Sequence, residues 1–359
     1  MKDSKIEWCD HTFNPWIGCT QVSPGCAHCY AEALNKRWKR GENWGKGAPR
    51  VITSQINWRQ PVSWNWEAGQ KRICLVCKAT TNDDDLISPE GICRQCELGT
   101  YIIRPRVFCA SMADWLDDEV PIAWLADLLQ LIHQTPNLDW LLLTKRPENF
   151  GVRVLAAAMY MAGYRDGQAS DNPTQPQMKG WELGHEWIVR KNPPKNVWIG
   201  TTTENQEMAD KRVPELLNIP ANIRFLSVEP MLGPINLSGW MEVNRIMAGY
   251  NDKSHAIHWV ICGGESGHAA RPMSPDWARN LRDQCAHGGI PFFFKQWGEW
   301  LPASSVKGPI TQLQFDANGP TGPNHPEWHD WPDGWRSARV GKKAAGRLLD
   351  GFEHSQFPS

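Results

Sequence analysis

The chain has 359 residues, enough to bury a sizeable core, and we expect one large domain carrying an insertion rather than two equal domains. A formal net charge of −1 excludes a broadly basic surface, so any nucleic-acid contact must be a local patch such as Lys36, Arg37, Lys39 and Arg40. No run of about 18 apolar residues occurs and the first residues lack the apolar centre of a signal peptide, which leads us to expect a cytoplasmic protein with no membrane contact.

The first informative element is the run from Asn14 to Tyr30, which holds Cys19, Cys26 and Cys29 in a C-x6-C-x2-C spacing. Pro24 and Gly25 turn the chain just before Cys26, so the three sulfurs can converge. Three thiolates can hold a four-iron four-sulfur cluster and leave one iron open to a small molecule. Tetrahedral zinc completed by His28 or His11 is the competing expectation. The chain has 11 cysteines, and seven of them fall into two metal-type groupings, which argues for coordination in a reducing compartment rather than a disulfide framework.

Residues 40–105 read as an insertion. Within it Cys74, Cys77, Cys93 and Cys96 make a C-x2-C-x15-C-x2-C pattern, in which two knuckles each present paired thiolates to one zinc ion. A small insert has little core of its own and gains stability from such a metal. Residues 82–85 and 88–91 are the loops between the knuckles.

From residue 106 a unit recurs: a β-branched or aromatic run ends in small, polar or charged residues and a helical pattern usually follows. The runs are 106–114, 139–146, 196–204, 223–230, 259–265 and 291–298; the helical patterns are 122–133, 152–162, 206–217 and 275–285. Continuous apolar runs suit strands buried on both faces, and their alternation with helices predicts an α/β fold with a parallel sheet, either closed as a barrel or open and doubly wound. The strand ends carry Ser111, Asp114, Lys145, Arg146, Thr202, Glu204, Ser227, Glu229, Glu265, Lys295 and Gln296. In a barrel that end is where ligands bind. Residues 164–193 form a long loop, and a short helix is expected at 344–350 with Lys342 and Lys343 near its start. Most of the 21 tryptophans should be packing anchors, with a few free to stack on a base.

The three-cysteine loop followed by β-α units resembles the radical S-adenosylmethionine superfamily. The segments Phe13-Asn-Pro-Trp-Ile-Gly-Cys19, Thr144-Lys-Arg-Pro147, Leu226-Ser-Val-Glu-Pro-Met-Leu232, Gly263-Gly-Glu265 and Phe294-Lys-Gln-Trp-Gly298 resemble, more closely, the three-cysteine-motif phage protein family. The resemblance implies a partial (β/α)6 TIM-like barrel made by residues 1–39 and 106–300, interrupted by a zinc ribbon at 40–105 and followed by an extension at 301–359. It further implies a 4Fe-4S cluster on Cys19, Cys26 and Cys29. S-adenosylmethionine would chelate the fourth iron and be held by Ser111, Asp114, Thr202, Glu204, Ser227 and Glu229. An external flavodoxin- or ferredoxin-type reductant would supply one electron, releasing a 5'-deoxyadenosyl radical inside a barrel shielded by Trp140, Trp198, Trp259 and Phe294. Cys109, Cys262 and Lys295 are the further catalytic candidates, the two thiols as hydrogen donors.

Two departures stand out: the superfamily's spacing is C-x3-C-x2-C, and the aromatic residue it places before the last cysteine is His28 here. Lys145, Arg146, Arg271 and Lys295 suggest an anionic substrate, and we expect a nucleic-acid base or nucleotide, modified or repaired. Peptide modification, or a non-catalytic zinc-binding nucleic-acid module, are the alternatives.

Overall fold

The computed structural model describes residues 1–38, 41–81, 87–88, 91–163, 182–249, 256–302 and 327–358. Lys39, Arg40 and the loop at 82–85 lie outside them. All six apolar runs form strands: β2 (Arg106–Cys109), β3 (Asp139–Thr144), β4 (Val197–Thr202), β5 (Ile223–Val228), β6 (Trp259–Gly263) and β7 (Phe292–Gln296). A seventh, β1 (His11–Thr12), is too short to show periodicity and pairs in parallel with β2, His11 opposite Val107. The seven strands lie side by side in chain order, all parallel.

Alternation along each strand builds two core layers. Cys109, Leu142, Ile199, Leu226, Val260 and Phe294 face the helices, while Phe108, Leu141, Trp198, Phe225, Ile261 and Phe293 form the opposite, inner layer. The helices are α1 (Tyr30–Arg37), α2 (Gln55–Gly69), α3 (Ile122–Gln134), α4 (Phe150–Met161), α5 (Gln206–Asn218), α6 (Ser238–Gly249) and α7 (Pro275–His287). In α3, Leu125, Leu128, Leu129 and Ile132 make the buried stripe. Side-chain caps start three of the others: Ser54 accepts from Asn57 N, Asn205 from Met208 N and Ser274 from Asp276 N.

The sheet is curled into a half-barrel, and aromatic contacts measure the curl. Trp8 sits 4.6 Å from the Phe108 ring on β2 and 6.3 Å from Trp259 on β6. Those strands are four steps apart, about 19 Å in a flat sheet at roughly 4.8 Å per step. One indole can touch both only if the sheet wraps around it. Phe357 does the same at the other end of the strands, 3.9 Å from the Arg106 guanidinium and 5.4 Å from Phe293. It is held there because Phe294 N donates to His354 O and Gln356 N to Phe292 O.

The described residues between 41 and 105 form two parts. Helix α2 buries Trp64 and Ala68 in the outer layer, and Val51–Ile52 pairs with Trp16–Ile17 beside the cysteine loop. The ribbon itself uses two short pairings, Arg72–Ile73 with Tyr101–Ile102 and Ile92–Cys93 with Leu98–Gly99. Beyond β7, strands Trp300–Pro302, Trp328–Asp330 and Arg336–Arg339 make a small antiparallel sheet with the last of these in the middle. The terminal helix is a single turn, Lys342–Ala345, because Gly346 takes φ 67 and its carbonyl is used by Trp297 N. Among the described residues no helix is long and apolar enough to cross a membrane.

Candidate functional site

The loop after β1 and the ends of β2 to β7 surround a cavity of about 410 Å³. This is a volume typical of small-molecule sites. Cys19, Cys26 and Cys29 line it together with Ser111, Asp114, Thr202, Ser227, Glu229 and Lys295, and so do Lys145, Glu265 and Gln296, so the structure gathers most of the strand-end residues singled out from the sequence. Ile6, Trp8, Phe108 and Leu143 give it an apolar wall.

Buried arginines hold the cysteine loop. Arg146, 4% exposed, donates to Asp114 Oδ2 at 3.0 Å and to Thr20 O at 2.8 Å, and its Nη1 stands 3.7 Å from Cys19 Sγ. Arg50 donates to Asp117 Oδ2 at 2.9 Å and to Thr20 Oγ1 at 2.8 Å. On the far side Arg271 grips Glu265 through Nε at 2.8 Å and Nη2 at 2.6 Å, and its Nη2 reaches Pro24 O at 3.1 Å. Burial, reinforced by the Asp114 carboxylate, pushes the Cys19 thiol up to about 12 against the pull of Arg146. Burial opposes ionisation of Glu265 as well, but the Arg271 hydrogen bonds more than offset it and hold the carboxyl below its usual range.

These contacts revise several expectations. Arg146 and Arg271 are committed to carboxylates and to loop carbonyls, so neither is a free cation for an anionic substrate. Asp114 already accepts from Thr144 Oγ1, Lys145 N, Leu116 N and Arg146, and its place is in the scaffold of the loop. Glu204 does not line the cavity; it is fully buried, paired with Arg212 at 2.8 Å, and accepts from Gly25 N at 2.9 Å. Cys109 and Cys262 are fully buried in the helix-facing layer, Cys262 with its sulfur 3.7 Å from Met231 Sδ, so neither thiol reaches the cavity as a hydrogen donor. Strand parity decides this: Phe108 and Ile261 point inward, and their neighbours point out. Trp140 and Phe294 fall in the outer layer for the same reason, whereas Trp198 and Trp259 are inward. Lys295 pairs with Glu229 at 3.0 Å inside the cavity. Arg50, Arg212 and Trp8 were not singled out from the sequence. For Trp8 the signal was a lone indole ahead of the loop, and for Arg212 there was none.

His11 and His28 are the candidate fourth ligands beside the three cysteines. His11 is buried against Trp64, its Nδ1 accepting from Asp3 N, and does not line the cavity; His28 lines it with Nδ1 3.2 Å from Glu265 Oε2. Among the described residues the only group of three or more Cys, His, Asp or Glu whose ligand atoms all lie within 4.8 Å of one another is Cys74, Cys77, Cys93 and Cys96. That compact set is a zinc-ribbon-like site able to hold a metal ion. The backbone N–H groups of Cys77 and Val76 hold the Cys74 thiol below its ordinary value, while the neighbouring sulfurs push Cys96 up and burial with those sulfurs raises Cys77, a crowding that a bound cation would relieve.

Trp8 Nε1, Thr202 Oγ1 and Gln296 Oε1 belong to cavity-lining residues and have no hydrogen-bond partner among the described residues, but all three atoms are closed off from the cavity's open space.

A family model described as a protein of unknown function (DUF5131) matches residues 3–358. No curated protein and no solved structure matches the chain. This match overturns the resemblance to the radical S-adenosylmethionine superfamily and to the three-cysteine-motif phage proteins. The sheet has seven strands rather than six, and the x6 spacing is not the superfamily's x3.

Proposed function

The chain belongs to the DUF5131 family, whose function is unknown, and from its site we propose an enzyme that holds a 4Fe-4S cluster on Cys19, Cys26 and Cys29 and S-adenosylmethionine in the cavity beside it. The observation that carries this reading is three thiols at one cavity whose ligand atoms do not collapse into a single-ion set, as those of the ribbon do. A polynuclear cluster takes each thiolate on a separate iron and so asks for wider spacing than one tetrahedral ion.

When bound, such a cluster with S-adenosylmethionine supplies one-electron reductive cleavage of the sulfonium, and through it hydrogen-atom abstraction from a substrate, using an electron from an external flavodoxin- or ferredoxin-type donor. The chain's own part is to bind and exclude. Trp8, Phe108 and Leu143 keep water from the apolar wall, Ser111 and Ser227 offer hydroxyls, and the Lys295–Glu229 pair presents both a donor and an acceptor. Lys145 and Lys342 line the same cavity, and cations there favour a phosphate-bearing substrate, a nucleic-acid base or nucleotide. The ribbon holds a structural zinc ion.

Anaerobically purified protein should contain iron and sulfide and show visible iron–sulfur absorbance. Cys26→Ala should bleach that colour and leave the ribbon metal in place. Dithionite with S-adenosylmethionine should then yield 5'-deoxyadenosine, faster with nucleotide or DNA than with peptide. Colourless protein free of iron and sulfide refutes the reading.

A further inference from the structure

Cys26 and Cys29 are carried by a tight turn, yet one peptide unit of that turn is fixed with unusual care. Gly25 N–H donates to Glu204 Oε1 at 2.9 Å, and Pro24 C=O accepts from Arg271 Nη2 at 3.1 Å. These two groups are the opposite ends of the same peptide plane. One partner follows the end of β4 and the other follows β6, so the plane is pinned from two separate strands.

Each partner is itself immobilised. Glu204 is fully buried, with Oε2 on Arg212 Nη1 at 2.8 Å, and the same Arg212 nitrogen donates to Thr202 O at 2.9 Å. Arg271 is held by both oxygens of Glu265. Hydrogen bonds from a backbone N–H to a carboxylate and from a guanidinium to a carbonyl are charge-assisted, roughly twice as strong as neutral ones. The fit leaves no slack: a Cβ at Gly25 would lie 2.9 Å from Glu204 Oε1.

We propose that Glu204 and Arg271 are positioning residues that clamp the Pro24–Gly25 peptide and thereby set the direction in which Cys26 and Cys29 present their sulfurs to the cluster. This rests on the cluster reading above. Neither residue touches a thiol in the clamp. With both ends of its dipole held, the peptide plane cannot rock, and Cys26, the next residue, inherits its orientation. Partners one shell out from a metal ligand typically govern affinity by about 10–100-fold.

The test uses the full chain, reconstituted anaerobically, in wild type, Gly25→Ala, Arg271→Gln and the double variant Gly25→Ala/Glu204→Asp. Readouts are the rate of iron release to a ferrous chelator, the EPR line shape of the reduced cluster, ribbon metal content and the thermal unfolding midpoint. Gly25→Ala changes no charge and should release iron about 10–100-fold faster with an altered line shape, at an unchanged ribbon metal content. Shortening Glu204 to aspartate as well makes room for the added methyl but withdraws the carboxylate from Gly25 N–H, so the double variant should release iron at least as fast as Gly25→Ala. Arg271→Gln frees Pro24 O and leaves Glu265 without its guanidinium; it should weaken retention in the same direction, by more than any fall in its unfolding midpoint accounts for. The clamp is overturned if wild type holds iron and both single variants hold it equally well with the same spectrum, if release simply follows a fall in unfolding midpoint, or if the double variant regains wild-type retention. Wild-type protein that binds no iron overturns the cluster reading, and the clamp with it.

Discussion

Replacing Arg146 with methionine asks how much of the site one buried cation holds together. The side chain sits between Asp114 at 3.0 Å and Thr20 O at 2.8 Å, with Asp117 Oδ1 at 3.9 Å. Methionine fills similar length but offers neither charge nor donor. Removing one partner of a buried ion pair costs about 3–5 kcal/mol, because the other charge is left behind. Here the remainder is softened: Asp114 keeps Thr144 Oγ1 at 2.7 Å, Lys145 N at 2.8 Å and Leu116 N at 3.0 Å, and Asp117 keeps Arg50. The lost bond to Thr20 O adds about 1.5–3 kcal/mol, as a hydrogen bond from a charged donor. Taking the low end of each range, about 3 and about 1.5 kcal/mol, we expect a loss of about 4–5 kcal/mol in urea unfolding, against a total stability of about 5–15 kcal/mol for a folded domain. Pairing the change with Asp114→Asn should recover part of the loss, with a coupling of about 1–3 kcal/mol in the double-mutant cycle. Arg146→Lys should remain impaired, since a single ammonium cannot span a carboxylate and a carbonyl on opposite sides. A methionine variant within about 0.5 kcal/mol of wild type, as for an ordinary surface change, or strict additivity with Asp114→Asn, would refute the assignment of Arg146 as the loop's anchor.

Two further outcomes follow from other parts of the fold. Burial raises the Asp139 carboxyl from its ordinary 3.8 to about 6, only partly relieved by Arg104. The folded state then holds a proton that the unfolded chain has released, so stability falls as pH rises through the window from about 4 to 6; Asp139→Asn should raise the melting temperature at pH 7.5 and leave it unchanged at pH 4, and equal effects at both would contradict this. In the ribbon, Cys93→Ala should cost one metal ion per chain and open protease sites within residues 70–105, while the far-UV signal of the barrel and the visible absorbance persist. Collapse of the barrel along with the ribbon would show that the two are not separable units.

The half-barrel was legible because its strands are apolar on both faces, and runs such as 223–230 and 259–265 state that without ambiguity. The two-residue β1 was not, since it is defined by pairing with Val107 and Phe108 rather than by any pattern of its own. Helix α2 hid inside a region read as an insertion, although Trp64 and Ala68, four residues apart, are its buried stripe. Parity was available and unused: once Phe108 is inward, Cys109 must face the helices. The roles of Arg146 and Arg271 were misjudged for a deeper reason. Cations near strand ends look alike in a sequence whether they await a ligand or are spent on a carboxylate, and only the fold brings Asp114 and Glu265 to them.

Trp259 is touched by Trp8 from one end of the chain and by Phe357 from the other. The strands neighbour one another in the order in which a ribosome would release them, so the sheet can lengthen edge by edge with contacts that stay close in sequence. Its curvature has no such head start, being latched by rings that meet only when the two ends do. A nascent chain can thus carry its polar strand tips in register while the bowl around them is still slack, and the last few side chains draw it shut.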